Sequence, residues 1–344
     1  MIYLDEFTRE EISTRSKYVE QFEQAVADYL RIDSDYVVAT NSGTSALHLA
    51  LLAAGVKKPG DDVLLPVLTY GASVNAIKMA GGNPVFVDVD KDTWLADFNY
   101  ELFEDGIYKF AMPVDLYGNI FNIIHFDEYD VSIIIDAAES FYQSASIDAD
   151  YYPNTFYCFS FNGNKVLSTG AGGVVINGDI NNIEKIKSIA SQGKSPAYNY
   201  DGLHLSEGFN YRMAGINAKY GLVHFKYIGG FLKRKEKFNE IYRNELDNIV
   251  TFQKINCSSN YWMIAILLPE NESVIDTRHA LKLEGIPTRR IFRPLNHSEP
   301  FRDGKTYPNA EMIYNRGLCL PSSHLNTDDD IYMVCKTLKK LLKG

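Results

Sequence analysis

The sequence predicts an α/β protein: a large domain built on a mostly parallel sheet covered by helices, followed by a smaller α+β domain. Three observations carry that prediction. Apolar strand-like runs are followed by small polar turns and apolar helices, as in V-V-A-T then N-S-G-T-S-A-L-H-L-A-L-L-A-A-G. The run Ile133 to Ile135 has no polar alternation, which suits a strand buried on both faces. From roughly Asn248 the pattern turns to short strands and short helices. We therefore divide the chain into 1–246 and 247–344, closely packed because no flexible linker separates them.

Taken in order, Lys17 to Leu30 carries Val19, Phe22, Ala25, Val26 and Tyr29 at helical spacing. A strand at Val37 to Thr40 leads into a helix starting near Thr44 and ending near Gly55, where glycine takes a left-handed cap. Ser42, Gly43 and Thr44 at its start have two readings, an ordinary helix cap or an anion site on free backbone N–H groups. After the P-G-D-D turn at Pro59 comes another strand, loop and helix, with Tyr70 at the junction as a packing tyrosine or a platform for a planar ring. Strands follow at N-P-V-F-V-D-V-D and at Phe110 to Val114. Asp136 ends the isoleucine strand, either as a helix cap or as a carboxylate buried enough to need a partner.

The stretch Tyr157 to Val175 sets two apolar runs around Ser160, Asn164, Lys165 and S-T-G-A-G-G. Beyond Asn181 the reading is helical, with a turn-rich stretch from Ser191 to Leu203 and one long amphipathic segment from Ala214 to about Leu246. Its basic run from Lys233 to Lys237 reads as a solvated face. The remainder reads as strands at Tyr261 to Leu268, a helix at Asp276 to Glu284, a proline-rich loop from Pro287 to Pro300 and a helix near Asp328 to Leu342.

Composition excludes several classes. The 344 residues are 46% hydrophobic and 23% charged, enough for a large core, and the formal charge of −10 argues against nucleic acid or anionic membrane as partners. The acidic N-terminus lacks the form of a signal peptide and no apolar run has membrane-spanning length, so the expectation is a cytoplasmic protein. Cys158, Cys257, Cys319 and Cys335 are scattered, which points to reduced thiols and no metal site.

Lys165 stands apart: no charged residue lies within ten positions before it, and none follows before Asp179. It is either a strand-end lysine with its stem on apolar surface or a desolvated, nucleophilic amine with a lowered pKa. Its company favours the second. A pyridoxal cofactor needs an attaching amine, an acid opposite its ring nitrogen, a phosphate cradle and a flat neighbour. Lys165, Asp136, the Ser42–Gly43–Thr44 turn with Ser160, and Tyr70 offer these in turn.

The stretches N-S-G-T-S-A-L-H-L-A-L, P-V-L-T-Y-G-A-S, P-V-D-L-Y-G, I-D-A-A-E, S-F-N-G-N-K, G-F-N-Y-R-M and G-L-C-L-P-S-S, in this order, resemble the DegT-type sugar-nucleotide aminotransferases. That resemblance implies the aspartate-aminotransferase-like fold (PLP fold type I) with a seven-stranded sheet, and pyridoxal 5′-phosphate as cofactor. It implies Lys165 as attaching amine and acid/base, Asp136 on the pyridine nitrogen, Glu139 near the ring hydroxyl, and Gly43, Thr44 and Ser160 on the phosphate. Asn210 would reach the phosphate in the neighbouring subunit, making a homodimer with its active site at the subunit interface. The G-N-K form of the lysine motif looks most like enzymes that move nitrogen from glutamate, leaving 2-oxoglutarate, to carbon 4 of a nucleotide-linked 4-keto-6-deoxy sugar. GDP-perosamine synthases and UDP-linked bacillosamine and legionaminic-acid pathway transaminases are the nearest groups. Rival readings are sugar-nucleotide dehydration or epimerisation and a non-catalytic regulator, but the related 3-dehydratases carry histidine at the position of Lys165. Asp115 stands where the family usually has histidine, and Asn296 where perosamine synthases commonly do.

Overall fold

The computed structural model describes residues 9–104, 106–141, 153–195 and 203–343. The first eight residues of the acidic N-terminus and the middle of the 191–203 stretch lie outside the described residues. In chain order the elements are α1 (Arg9–Ile12), α2 (Lys17–Leu30), β1 (Val37–Thr40), α3 (Gly43–Ala54), β2 (Asp62–Pro66), α4 (Gly71–Met79), β3 (Asn83–Val87), α5 (Glu101–Glu104), β4 (Phe110–Ala111), β5 (Ser132–Asp136), β6 (Thr155–Ser160), β7 (Gly173–Ile176), α6 (Ile180–Ala190) and α7 (Gly215–Phe225). There follow α8 (Ile228–Leu246), β8 (Thr251–Phe252), β9 (Ile264–Leu267), α9 (Val274–Leu283), β10 (Arg289–Arg290), α10 (Pro308–Arg316), β11 (Gly317–Leu320) and α11 (Asp328–Lys343).

Seven strands form one sheet in the order β1-β7-β6-β5-β4-β2-β3, and four form a second in the order β10-β11-β9-β8. The large sheet is parallel except where β7 runs against β1 and β6. The small sheet is antiparallel throughout. Consecutive apolar residues make β1 and β5 fully or almost fully buried, as expected of a sheet covered on both faces. Helix α3 is apolar nearly all round and packs against β6, β7, α4 and α6. Gly55 ends it at φ 103°, the left-handed cap that the sequence predicts.

Register then fixes where side chains meet. The parallel β5 and β6 pair Asp136 with Cys158, so both strands deliver their carboxyl ends to one edge of the sheet. The antiparallel β7 pairs Gly173 with Ser160 and with Thr40, folding the glycine run after Lys165 back beneath the start of α3.

Three expectations are corrected. The strand from Phe110 ends at Ala111 and Val114 makes only an isolated bridge to Asp136, because Pro113 has no N–H for the ladder. The segment from Ala214 to Leu246 is two helices that part at Lys226 and Tyr227, with Gly229 and Gly230 in the first turn of the second. The basic run of α8 is not wholly solvated, since Lys235 is buried. A second core joins Phe238, Tyr242 and Leu246 of α8 to Ile266, Leu318 and Leu338, so its apolar side chains begin before residue 247.

Candidate active site

Asp136, at the end of β5, is buried and has neutral partners. Its Oδ2 accepts from the Ser73 hydroxyl at 2.6 Å and its Oδ1 from the Ala138 amide at 3.2 Å. Burial raises its pKa above the ordinary carboxylate value, against the opposing pull of those two donors and of the Lys165 charge. Three residues on, the Glu139 Oε2 accepts from the Tyr117 amide at 2.7 Å, and burial lifts this carboxyl to about 7 despite the Lys165 charge beside it.

Lys165 sits in the turn after β6, its amide donating to the Asn162 carbonyl at 2.9 Å. Its Nζ lies 3.6 Å from Glu139 Oε1 and 3.8 Å from the centroid of the Trp262 ring, with the side chain 13% exposed. The isolation visible along the chain is therefore removed by folding: the lysine has a carboxylate and an aromatic face as neighbours.

Asp115 adds a third buried carboxyl, accepting from the Ser140 hydroxyl at 2.5 Å and the Phe121 amide at 2.9 Å. Burial, with Asp136 and Glu139 adding to it, pushes Asp115 up to about 7. The sign of the stability effect follows. Folded Asp115 and Glu139 retain protons that the unfolded chain releases near pH 4, so stability is fullest below that range and is lost as pH rises through about 7. We expect the cofactor-free protein to lose on the order of 5 °C of melting temperature more than its Asp115→Asn variant between pH 4 and pH 8. Parallel thermal profiles for the two proteins would contradict this account.

The opposite end of the cavity is the start of α3. Ser42 is its N-cap, with its hydroxyl accepting from the Ser45 amide, and Gly43 and Thr44 line the cavity with first-turn amides that have no partner within the helix. Gly43 must be glycine: a Cβ there would lie 2.7 Å from the Cβ of Ser160. Between the two ends is a cavity of about 390 Å³, lined by Ser42, Gly43, Thr44, Tyr70, Asp136, Glu139, Ser160 and Lys165 among others.

The structure thus brings together all of the predicted site residues but one. Tyr70, 64% exposed at the N-cap of α4, stands at the cavity with its ring centroid 5.8 Å from that of Phe292. Asn210 does not line this cavity; it is exposed, and its carbonyl accepts from the Asn41 side chain at 3.0 Å. Trp262, Ser73 and Arg289 were not legible as site residues. Trp262 and Arg289 come from the far C-terminal part of the chain, and Ser73 reads as an ordinary helix serine.

A profile of the DegT/DnrJ/EryC1/StrS aminotransferase family matches residues 2–339. The chain belongs to this family. GDP-perosamine synthase of Escherichia coli O157:H7 is 34% identical over 343 residues, covering 96% of this chain and 91% of that one. UDP-4-amino-4,6-dideoxy-N-acetyl-beta-L-altrosamine transaminase of Campylobacter jejuni is 29% identical, covering 97% of this chain and 92% of that one. Among solved structures, NtdA of Bacillus subtilis with bound cofactor PMP superimposes with a TM-score of 0.85 at 24% identity, covering 95% of this chain and 77% of that one. This member of the aminotransferase family is accordingly a pyridoxal-phosphate-dependent sugar aminotransferase with the family's fold.

The donor set of this aminotransferase suits that cofactor. Asp136 is a buried carboxyl with only neutral hydrogen-bond donors, which a cationic ring nitrogen would satisfy. The α3 N-terminus suits a phosphate, and Lys165 supplies an amine in the same cavity. Among the described residues no helix is long and apolar enough to cross a membrane.

Proposed function

We propose that the protein moves an amino group from glutamate to carbon 4 of a GDP-linked 4-keto-6-deoxy sugar, a reading supported by its 34% identity to a GDP-perosamine synthase. The observation that carries the chemistry is the placement of Lys165 Nζ beside Glu139 in one cavity with Asp136. Pyridoxal phosphate, when bound, supplies an aldehyde for the amino group and an electron-withdrawing ring that stabilises a neighbouring carbanion.

The roles of the side chains follow from their surroundings. Asp136, oriented by Ser73 and the Ala138 amide, keeps the ring nitrogen protonated by presenting a negative charge to it. Gly43, Thr44 and Ser160, which line the cavity at the start of α3, would hold the phosphate, and Tyr70 would flank the ring. Lys165 would be the attaching amine, and its Nζ would serve as the base and acid that takes the α-proton of glutamate and returns a proton to the sugar carbon. Glu139, with its pKa near neutrality, keeps the Lys165 ammonium in place and is itself ready to exchange a proton. Arg289 at the cavity gives the anionic groups of donor and nucleotide a cation. The two substrates use the cavity in turn, hence a ping-pong cycle.

A homodimer with shared active sites agrees with the position of Asn210: it is exposed, absent from its own cavity, and tied by Asn41 next to the phosphate end. In that arrangement Asn210 of one protomer would reach the phosphate site of its partner.

The UDP-linked reading is the second one, favoured by the Campylobacter relative. A panel of GDP-, UDP- and dTDP-linked 4-keto-6-deoxy sugars, incubated with protein, pyridoxal phosphate and glutamate, separates them. We expect the GDP sugar to gain an amine, detected by product mass. Amination of the UDP sugar alone would transfer the assignment to the second reading, and loss of water without gain of nitrogen would replace it by dehydration.

A further inference from the structure

The basic run of α8 contains a cation that surface solubility does not explain. Lys235 is 4% exposed, and among the described residues no carboxylate lies within ion-pair distance of its Nζ. Its ammonium instead donates to the carbonyl oxygens of Ser322 at 2.8 Å, Trp262 at 3.0 Å and Tyr261 at 3.4 Å. Burial pushes its pKa down to about 8, the sign of a charge held where it is costly. A hydrocarbon side chain would fill the same space without that cost.

What the cation holds is the tryptophan against the reactive lysine. All three polar groups of Trp262 are anchored. Its indole N–H donates to the carbonyl of Asn164, the residue before Lys165, at 2.8 Å. Its amide donates to Asn260 Oδ1 at 2.9 Å, while Asn260 Nδ2 donates to the carbonyl of Glu139 at 2.8 Å. Its carbonyl receives Lys235 and, at 3.3 Å, the Ser322 hydroxyl. The first two anchors tie the residue to the turns that carry Lys165 and Glu139; the third ties it to α8 and, through Ser322, to the turn after β11. The result is an indole face 3.8 Å from Lys165 Nζ.

We propose that Lys235 is a positioning residue for amino-group transfer, acting through the Trp262 backbone to keep the indole against Lys165. The inference rests on Lys165 being the reactive amine. Held there, the indole closes one side of Nζ to water and limits its swing, so that proton transfer starts from one geometry. A loosened carbonyl anchor lets Trp262 tilt while the fold persists.

Lys235→Met keeps the length of the side chain and removes the donor, and it is read on the native background and on Trp262→Phe. We expect it to lower kcat about tenfold with KM nearly unchanged on the native background, and less than about twofold on Trp262→Phe, because residues acting as a unit are not additive. The second readout uses the cofactor-free protein. The chain has two tryptophans, Trp94 at 1% and Trp262 at 5% exposure, so the fluorescence lost in Trp262→Phe, and its quenching by acrylamide, reports Trp262. Lys235→Met should raise that quenching. Equal losses of kcat on both backgrounds, or unchanged quenching, would overturn the proposal. If Lys235→Met does not fold, Lys235→Gln, with a neutral amide donor, is read by the same two measurements and against the same outcomes. Should Lys165 prove not to be the reactive amine, Lys165→Ala would remain active, a result separate from the quenching of Trp262.

Discussion

Lys165→Ala should fold like the parent and lose turnover by at least about 10³-fold, because one side chain serves as both attaching amine and proton carrier. Folding should survive because the lysine belongs to a surface-connected turn rather than to the core, and its loss leaves Glu139 able to take a proton. That carboxyl is already lifted to about 7 by burial, and removing the nearby cation raises it further. The start of α3 and Asp136 remain, so the variant should still bind pyridoxal phosphate, but borohydride treatment should no longer fix the cofactor to the chain, as it should in the parent. Lys165→Arg separates charge from chemistry: it preserves a cation beside Glu139 and Trp262 but offers no amine to attach or to shuttle a proton, and should be as inactive. Near-parent nitrogen transfer by either variant would remove Lys165 from the reaction.

Asp136→Asn carries the second large effect. The substitution preserves shape and removes the negative charge facing the cavity, and turnover should fall by about 10² to 10³, the range for losing one preorganised electrostatic group. The effect on stability should depend on pH. The folded pKa of Asp136 is raised above its unfolded value, so the stability it contributes is complete below the unfolded pKa and lost as pH rises through the folded one. The cofactor-free native protein should therefore lose more stability on raising the pH than the asparagine variant, which has no carboxyl to ionise. Calorimetry of the two cofactor-free proteins at low and high pH, beside steady-state rates, checks both halves. A clear drop in melting temperature with near-parent turnover would show Asp136 to be a structural carboxylate and nothing more.

Much of this arrangement was legible because it is written locally. The alternation of apolar runs and small turns marks β1 and α3 within a residue or so and β2 and α4 as a strand and a helix, and the isoleucine run marks β5 as a covered strand. Asp136 and Lys165 could be singled out because each stands at the end of an apolar run, where the edge of a parallel sheet is the expected location. What misled was of two kinds. Proline at 113 shortens a strand through a missing hydrogen bond that apolar content does not register, and the segment from Ala214 parts at Lys226 and Tyr227 although its apolar pattern alone looks continuous. Lys235 was read with its charged neighbours as solvated, whereas its acceptors are three carbonyls distant in the chain.

The surroundings of Lys165 make the same division plain. By itself the sequence determined which residue types stand at the ends of which strands, since periodicity, turn chemistry and strand length depend on neighbours a few positions away. Only the tertiary structure decided that Glu139 and Trp262 flank the amine, that Asp115 and Asp136 share one acidic interior, and that a lysine of α8 anchors the tryptophan. Those contacts depend on strand register and on how the second sheet packs against the first, and their energies are realised only when water is excluded from between groups far apart along the chain.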